Sequence, residues 1–168
     1  MAGVHEGADE GGQHLLAFFY SNPLVYELGG ILNEVDPLDY EEERRMIEES
    51  LSDLRRGIRF CSEPATVWNV QKSLNNDCKM LHFIGHACPE YLSFEDGEAR
   101  RCGIAEYLNK EGLKELFESG TTKPELVFLA SCHSQTHGDT LAHAGVPHVV
   151  AVESEAEILG ASWRQSTI

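Results

Sequence analysis

"LHFIGHAC", residues 81–88, and "LVFLASCHS", residues 126–134, decide the reading of the fold. Each is an unbroken apolar run that stops abruptly at a His or a Cys. A short apolar run closed by small or polar residues is the pattern of a strand buried on both faces, as in a parallel sheet covered by helices. Binding and catalytic groups in open parallel sheets collect just beyond the carboxyl ends of the strands. His86 and Cys132 stand at two such ends. The segment between them contains a helical pattern, so one crossover can make their strands adjacent and parallel. The pairing has a chemical use. A thiol is a poor nucleophile until it loses its proton, and a nearby imidazole can accept that proton and later deliver it to a leaving amine.

The rest of the chain extends the same pattern outward. "HLLAFFYSNPL" is an apolar run ended by Ser-Asn-Pro, a strand followed by a turn. Residues 37–56 place Leu38, Met46, Ile47, Leu51 and Leu54 at helical spacing, with acidic residues at the start, Arg at the end and Gly57 after it. "IRFCSEPA" predicts a second strand. Thr66 to Leu74 predicts a short helix with Val67, Val70 and Leu74 on one face. "YLSFEDGEA" alternates and then reaches Asp-Gly, a hairpin signal. "NKEGLKELFES" predicts a helix with Leu113, Leu116 and Phe117 inward, ended by Gly120. "SQTHGDTLAHAG" predicts another, ended by Gly145, and "VPHVVAVE" a fifth core strand. Strands alternating with helices predict an α/β sandwich around a central, mostly parallel sheet. Residues 1–13 are polar and Gly-rich and read as a disordered acidic tail. Residues 14–153 read as one domain, and 154–168 as an atypical ending.

The chain has 168 residues, enough for one domain with a substantial core. Its formal net charge of −15 repels phosphate backbones, so nucleic acid is not an expected partner. The basic pairs Arg44-Arg45 and Arg55-Arg56 lie among acidic residues on a predicted helix, where a solvated face is the simpler reading; Arg100-Arg101 is the third such pair. No stretch approaches the roughly 20 apolar residues of a membrane span, and Leu15 to Tyr20 lacks the basic flank of an export signal. These features predict a cytoplasmic protein whose five Cys are free thiols.

The two blocks, in this order, resemble the CHAT domain, a caspase-like family related to separase and often joined to tetratricopeptide repeats. The resemblance runs over residues 14–153. It takes in "SNPL" after the first strand, the acidic helix, "PATVWNVQKSL", "LSFEDG", the Gly-His of "LHFIGHA", the Ser-Cys of "LVFLASCHS", and "GVPHVVAVE". Caspases place the catalytic His about 50 residues before the Cys, and His86 and Cys132 have a similar separation. The resemblance implies a caspase-like three-layer sandwich and a cysteine endopeptidase with Cys132 as nucleophile and His86 as its partner. It also implies oxyanion donors from the backbone near Gly85 and Cys132, a protein or peptide substrate, and repeat domains or activator proteins as partners. Ala87 stands where the family usually has Gly, which matters if that position requires a left-handed backbone. The family continues after strand five with a further helix and strand. "SEAEILGASWRQSTI" fits that poorly, so the sheet is expected to be cut short there and the chain to be weakly active or inactive.

Two plainer readings stand beside this one. The domain can be a non-catalytic interaction module on an enzyme-like fold. Alternatively, His82, His86, Cys88, Cys132, His133 and His137 supply zinc-binding atoms; they lack paired CxxC spacing, so no metal and no other cofactor is expected. His82 reads as a structural hydrogen-bonding residue. His137, His143 and His148 read as helix-surface or strand residues. Cys61, Cys78, Cys88 and Cys102 read as ordinary thiols. "ELGG" at 27–30 is too sparse for a nucleotide loop.

Overall fold

The structure, a computed structural model, describes residues 14–52 and 57–151. In chain order the elements are β1 (His14–Tyr20), β2 (Val25–Leu28), β3 (Ile31–Glu34), α1 (Glu41–Ser52), β4 (Ile58–Pro64), α2 (Val67–Asn75), β5 (Cys78–Ile84), β6 (Tyr91–Glu95), β7 (Ala105–Asn109), α3 (Lys110–Ser119), β8 (Leu126–Ala130), α4 (Ser134–His143) and β9 (His148–Ala151). The central sheet has the order β4-β1-β5-β8-β9, with every neighbouring pair parallel. The chain leaves β1 toward β4 on one side, then returns to β5 and proceeds through β8 to β9 on the other. The direction of winding reverses between β1 and β5, and a crevice opens at the carboxyl ends of strands at such a point.

Strand alternation sorts the core into two faces. Leu15, Ala17, Phe19, Leu81, Phe83, Val127 and Leu129 pack under Val70 and Leu74 of α2, Leu113, Leu116 and Phe117 of α3, and Leu141 of α4. Phe18, Ile84 and Ala130 face the other way, where Leu38, Tyr40 and Ile47 of the α1 region cover them. The result is the caspase-like three-layer sandwich, with three of the described helices on one face and one on the other. Each fully buried Leu or Phe is worth about 1.5–3 kcal/mol of transfer free energy, so the three-helix face supplies most of the stabilisation.

Local chemistry sets the helix limits. Thr66 Oγ1 accepts from Asn69 N at 3.1 Å to start α2, and Asn109 Oδ1 accepts from Gly112 N at 2.8 Å to start α3. The inward residues of α3 are the three expected. The acidic helix begins at Glu41 instead of 37, because Asn22 Oδ1 takes the Leu38 N–H at 2.8 Å and holds it in an extended lead-in. Leu38 is buried nonetheless, in the loop.

Two hairpins flank the sheet. β2 and β3 form one that no sequence signal above predicts; Gly29 and Gly30, at φ +60° and +81°, are its turn, a conformation Gly adopts without strain. β6 and β7 form the other, but Asp96-Gly97 is not a tight turn. Asp96 instead accepts from Glu98 N at 2.9 Å and from Arg101 Nε at 2.6 Å, organising a longer loop before β7. No helix among the described residues is long and apolar enough to cross a membrane. The tail expected at 1–13, and the ending expected at 154–168 with its early stop of the sheet, lie outside the described residues.

Candidate active site

Register sets the two marked residues at the same level of the sheet. β5 and β8 are paired neighbours, with Ile84 opposite Ala130. His86 and Cys132 each follow two residues later, so they leave adjacent strands, about 4.8 Å apart, at the same height. The ladder continues one step past the strands, with Gly85 N donating to the Ala130 carbonyl at 3.4 Å. On the other side Ser21 N donates to the Ile84 carbonyl at 2.8 Å. The carboxyl ends of β1, β5 and β8 are therefore locked side by side at the reversal point. Gly85 fits there because it lacks a side chain: a Cβ would lie 2.9 Å from the Phe83 ring and 2.9 Å from Ser21 Cβ.

The His86 ring is oriented by backbone. Its Nε2 lies 2.9 Å from the Asp36 carbonyl oxygen. A carbonyl only accepts, so the proton belongs on Nε2 and the neutral ring keeps its lone pair at Nδ1. Asp36 is itself held. The Leu38–Asn22 bond anchors one side of it, and Tyr40 stacks on Tyr20 with centroids 4.2 Å apart and planes at 4°. Burial, more than any neighbouring charge, pushes the Tyr40 hydroxyl up to about 12, so that stack is uncharged near neutrality. Nothing in the sequence marks this role of Asp36, because any residue offers a carbonyl.

Cys132 lies in the turn from β8 to α4. His133, which follows it, adopts the left-handed conformation at φ +51°. A non-Gly residue held there costs of order 1–3 kcal/mol and turns the chain sharply, a geometry that recurs at functional sites. The positive end of α4 begins one residue later and favours negative charge at this point. Cys132 and His86 are both half-buried.

The first turn of α4 is fastened to the loop that follows His86. His137 Nε2 lies 2.8 Å from the Cys88 carbonyl, and Thr136 Oγ1 donates to the Pro89 carbonyl at 3.4 Å. His137 is fully buried, not on the helix surface as its sequence context suggested. Its Nδ1 is enclosed without a hydrogen-bond partner, and burial lowers its pKa, so the clasp is a neutral imidazole. Cys132 and His86 thus belong to two segments joined at the sheet and again through His137.

The expected oxyanion donors fare differently. The Gly85 N–H is already engaged by Ala130 and would have to exchange that partner to bind an oxyanion. Ladder bonds from Ser93 N to the His86 carbonyl and from Cys88 N to the Tyr91 carbonyl bracket Ala87 in its bridge with Leu92. Neither bond uses the Ala87 N–H. Ala87 is not among the residues with positive φ, so replacing Gly there carries no backbone strain.

The remaining His and Cys disperse. His82 lies between the Phe18 and Phe128 rings, at 5.0 and 4.8 Å, with Nε2 2.8 Å from a Glu43 carboxylate oxygen that is out of line for a hydrogen bond. None of the five cysteines is joined in a disulfide. Among the described residues no group of three or more His, Cys, Asp or Glu converges as metal ligands do. No family model matches the sequence, and no curated protein matches it.

Proposed function

We propose that this chain is a cysteine endopeptidase of the CHAT kind, acting on a protein or peptide in the cytoplasm. The observation that supports the reading is the equal height of His86 and Cys132 just beyond the ends of paired parallel strands, with the His86 ring held by the Asp36 carbonyl. In the proposed reaction His86 removes the Cys132 thiol proton and the sulfur attacks the peptide carbonyl carbon. The carbonyl oxygen takes the negative charge, which backbone N–H groups near Gly85 and Cys132 would meet. Collapse breaks the C–N bond, and His86 gives its proton to the leaving amine. Water, deprotonated by His86, then cleaves the thioester, restoring the thiol and releasing the acid. No metal or cofactor enters these steps. Repeat domains or activator proteins fit the reading as partners.

Incubation with a peptide library, followed by mass spectrometry of new termini, tests this. Cleavage that is lost in Cys132→Ser and in His86→Ala, with folding retained, supports it. Cleavage that survives in Cys132→Ser overturns it.

A second reading, a non-catalytic interaction module, is favoured by one feature: the β2–β3 hairpin exposes several large aliphatic side chains. The two readings exclude each other on catalysis, and the peptide-library experiment decides between them.

A further inference from the structure

Among the described residues, the β2–β3 hairpin gathers several of the large hydrophobic side chains that the core leaves uncovered. Leu24, Leu28 and Ile31 are 72%, 68% and 67% exposed, and alternation places them with Tyr26 on one face of the ribbon; Leu32, at 57%, lies on the other. A lone two-stranded ribbon is marginal in water, and clustered aliphatics of this kind mark an interaction site.

Backbone geometry says how a partner would attach. The two-residue turn makes Leu28–Ile31 a hydrogen-bonded pair, and Val35 N donates to the Leu24 carbonyl at 3.0 Å, so the bonded pairs alternate from the turn outward. Leu32 and Glu34 fall between them and point their N–H and C=O groups away from β2. Among the described residues β3 pairs with no strand but β2, whereas the outer edge of β2 is engaged by Gly103 and Ile104. The open edge is therefore that of β3.

Charge says what the partner is. Residues 21–43 contain seven carboxylates and no Lys, Arg or His. Glu34, Asp36 and Asp39 are exposed, with no cation at ion-pair distance among the described residues. A second copy, at net charge −15, would bring like charge onto like.

We propose that an extended segment of a basic protein, alternating apolar side chains with Lys or Arg, docks on this hairpin as a third strand beside β3. Its backbone pairs with Leu32 and Glu34, its apolar side chains cover Leu28 and Ile31, and its cations meet Glu34, Asp36 and Asp39. The inference stands apart from the peptidase reading, because binding alone tests it.

The probe is the synthetic peptide Ac-KVKVKVK-NH2, titrated into the full chain and followed by nitrogen–proton correlation spectra. Shifts confined to Leu24–Asp39 are expected. Affinity should fall about tenfold or more when alternate peptide amides are N-methylated, and by a similar factor for Ac-EVEVEVE-NH2. Leu32→Pro, which removes an outward N–H without touching the bonds to β2, should weaken binding equally while β2 shifts stay in place. If that variant loses the hairpin, the N-methylated peptide decides. Equal affinity for the methylated peptide, shifts spread along α1, absence of binding at millimolar peptide, or a dimer sealed by the hairpin in sedimentation would each overturn the proposal.

Discussion

Cys78 and Cys132 show how one side chain acquires opposite roles at opposite ends of a sheet. Cys78 begins β5 at the amino end. It is fully buried, its sulfur lies 3.1 Å from the Met80 carbonyl, and burial pushes its thiol up to about 11. Cys132 follows β8 at the carboxyl end, half-buried, at the start of a helix and level with an oriented imidazole. Burial without an acid–base partner makes a thiol a small hydrophobe; partial access beside His86 makes it a candidate nucleophile. The parallel sheet produces the difference, since all its strands deliver their carboxyl ends to one edge.

The sharpest way to break this comparison is to truncate each thiol. Cys132→Ala is expected to lower peptide hydrolysis roughly a thousandfold or more while leaving the melting temperature nearly unchanged. Cys78→Ala should do the reverse, with turnover retained and stability lower by about 1 kcal/mol. Activity assays and denaturant unfolding of both variants read this directly. Loss of turnover in both, with folding retained, would erase the distinction.

A smaller effect is expected at Gly85, where the carboxyl edge is tightest. Gly85→Ala drives a methyl into the Phe83 ring and Ser21 and should cost about 1–3 kcal/mol in urea unfolding. An unchanged midpoint would mean that the edge is looser than the contacts indicate.

The smallest effect concerns the clasp behind the site. Burial lowers the His137 pKa in the folded protein, whereas the unfolded ring titrates near 6.5. Between those values the unfolded chain binds more protons, so this group's contribution rises with pH and is lost as pH falls below about 6.5. His137→Gln keeps a donor for the Cys88 carbonyl but does not titrate. Its unfolding free energy should therefore vary less between pH 5 and pH 7 than that of the native chain. Identical pH dependence would remove His137 from the account.

What the sequence made legible follows the same physics. The inner strands β1, β5 and β8 announced themselves as apolar runs because both their faces are covered. His86 and Cys132 stood out because each interrupts such a run at its end. Leu113, Leu116 and Phe117 were readable because α3 buries only one stripe. The β2–β3 hairpin was missed because its aliphatics face solvent and follow no burial pattern, although Gly29-Gly30 marked its turn. Asp36 acts through its carbonyl, which carries no residue identity. His137 looked like a surface residue because its burial comes from the loop after His86 folding over α4, a contact between segments far apart in the chain.

The central claim is that His86 activates Cys132. The direct measurement is the rate at which iodoacetamide alkylates each cysteine at pH 7, resolved by peptide mass spectrometry in the native chain and in His86→Ala. Cys132 labelling is expected to slow about tenfold or more in the variant, while the exposed Cys102 labels at an unchanged rate and Cys78 stays protected in both. Equal Cys132 rates in the two proteins, with the fold intact, would contradict it and leave Cys132 an ordinary half-exposed thiol.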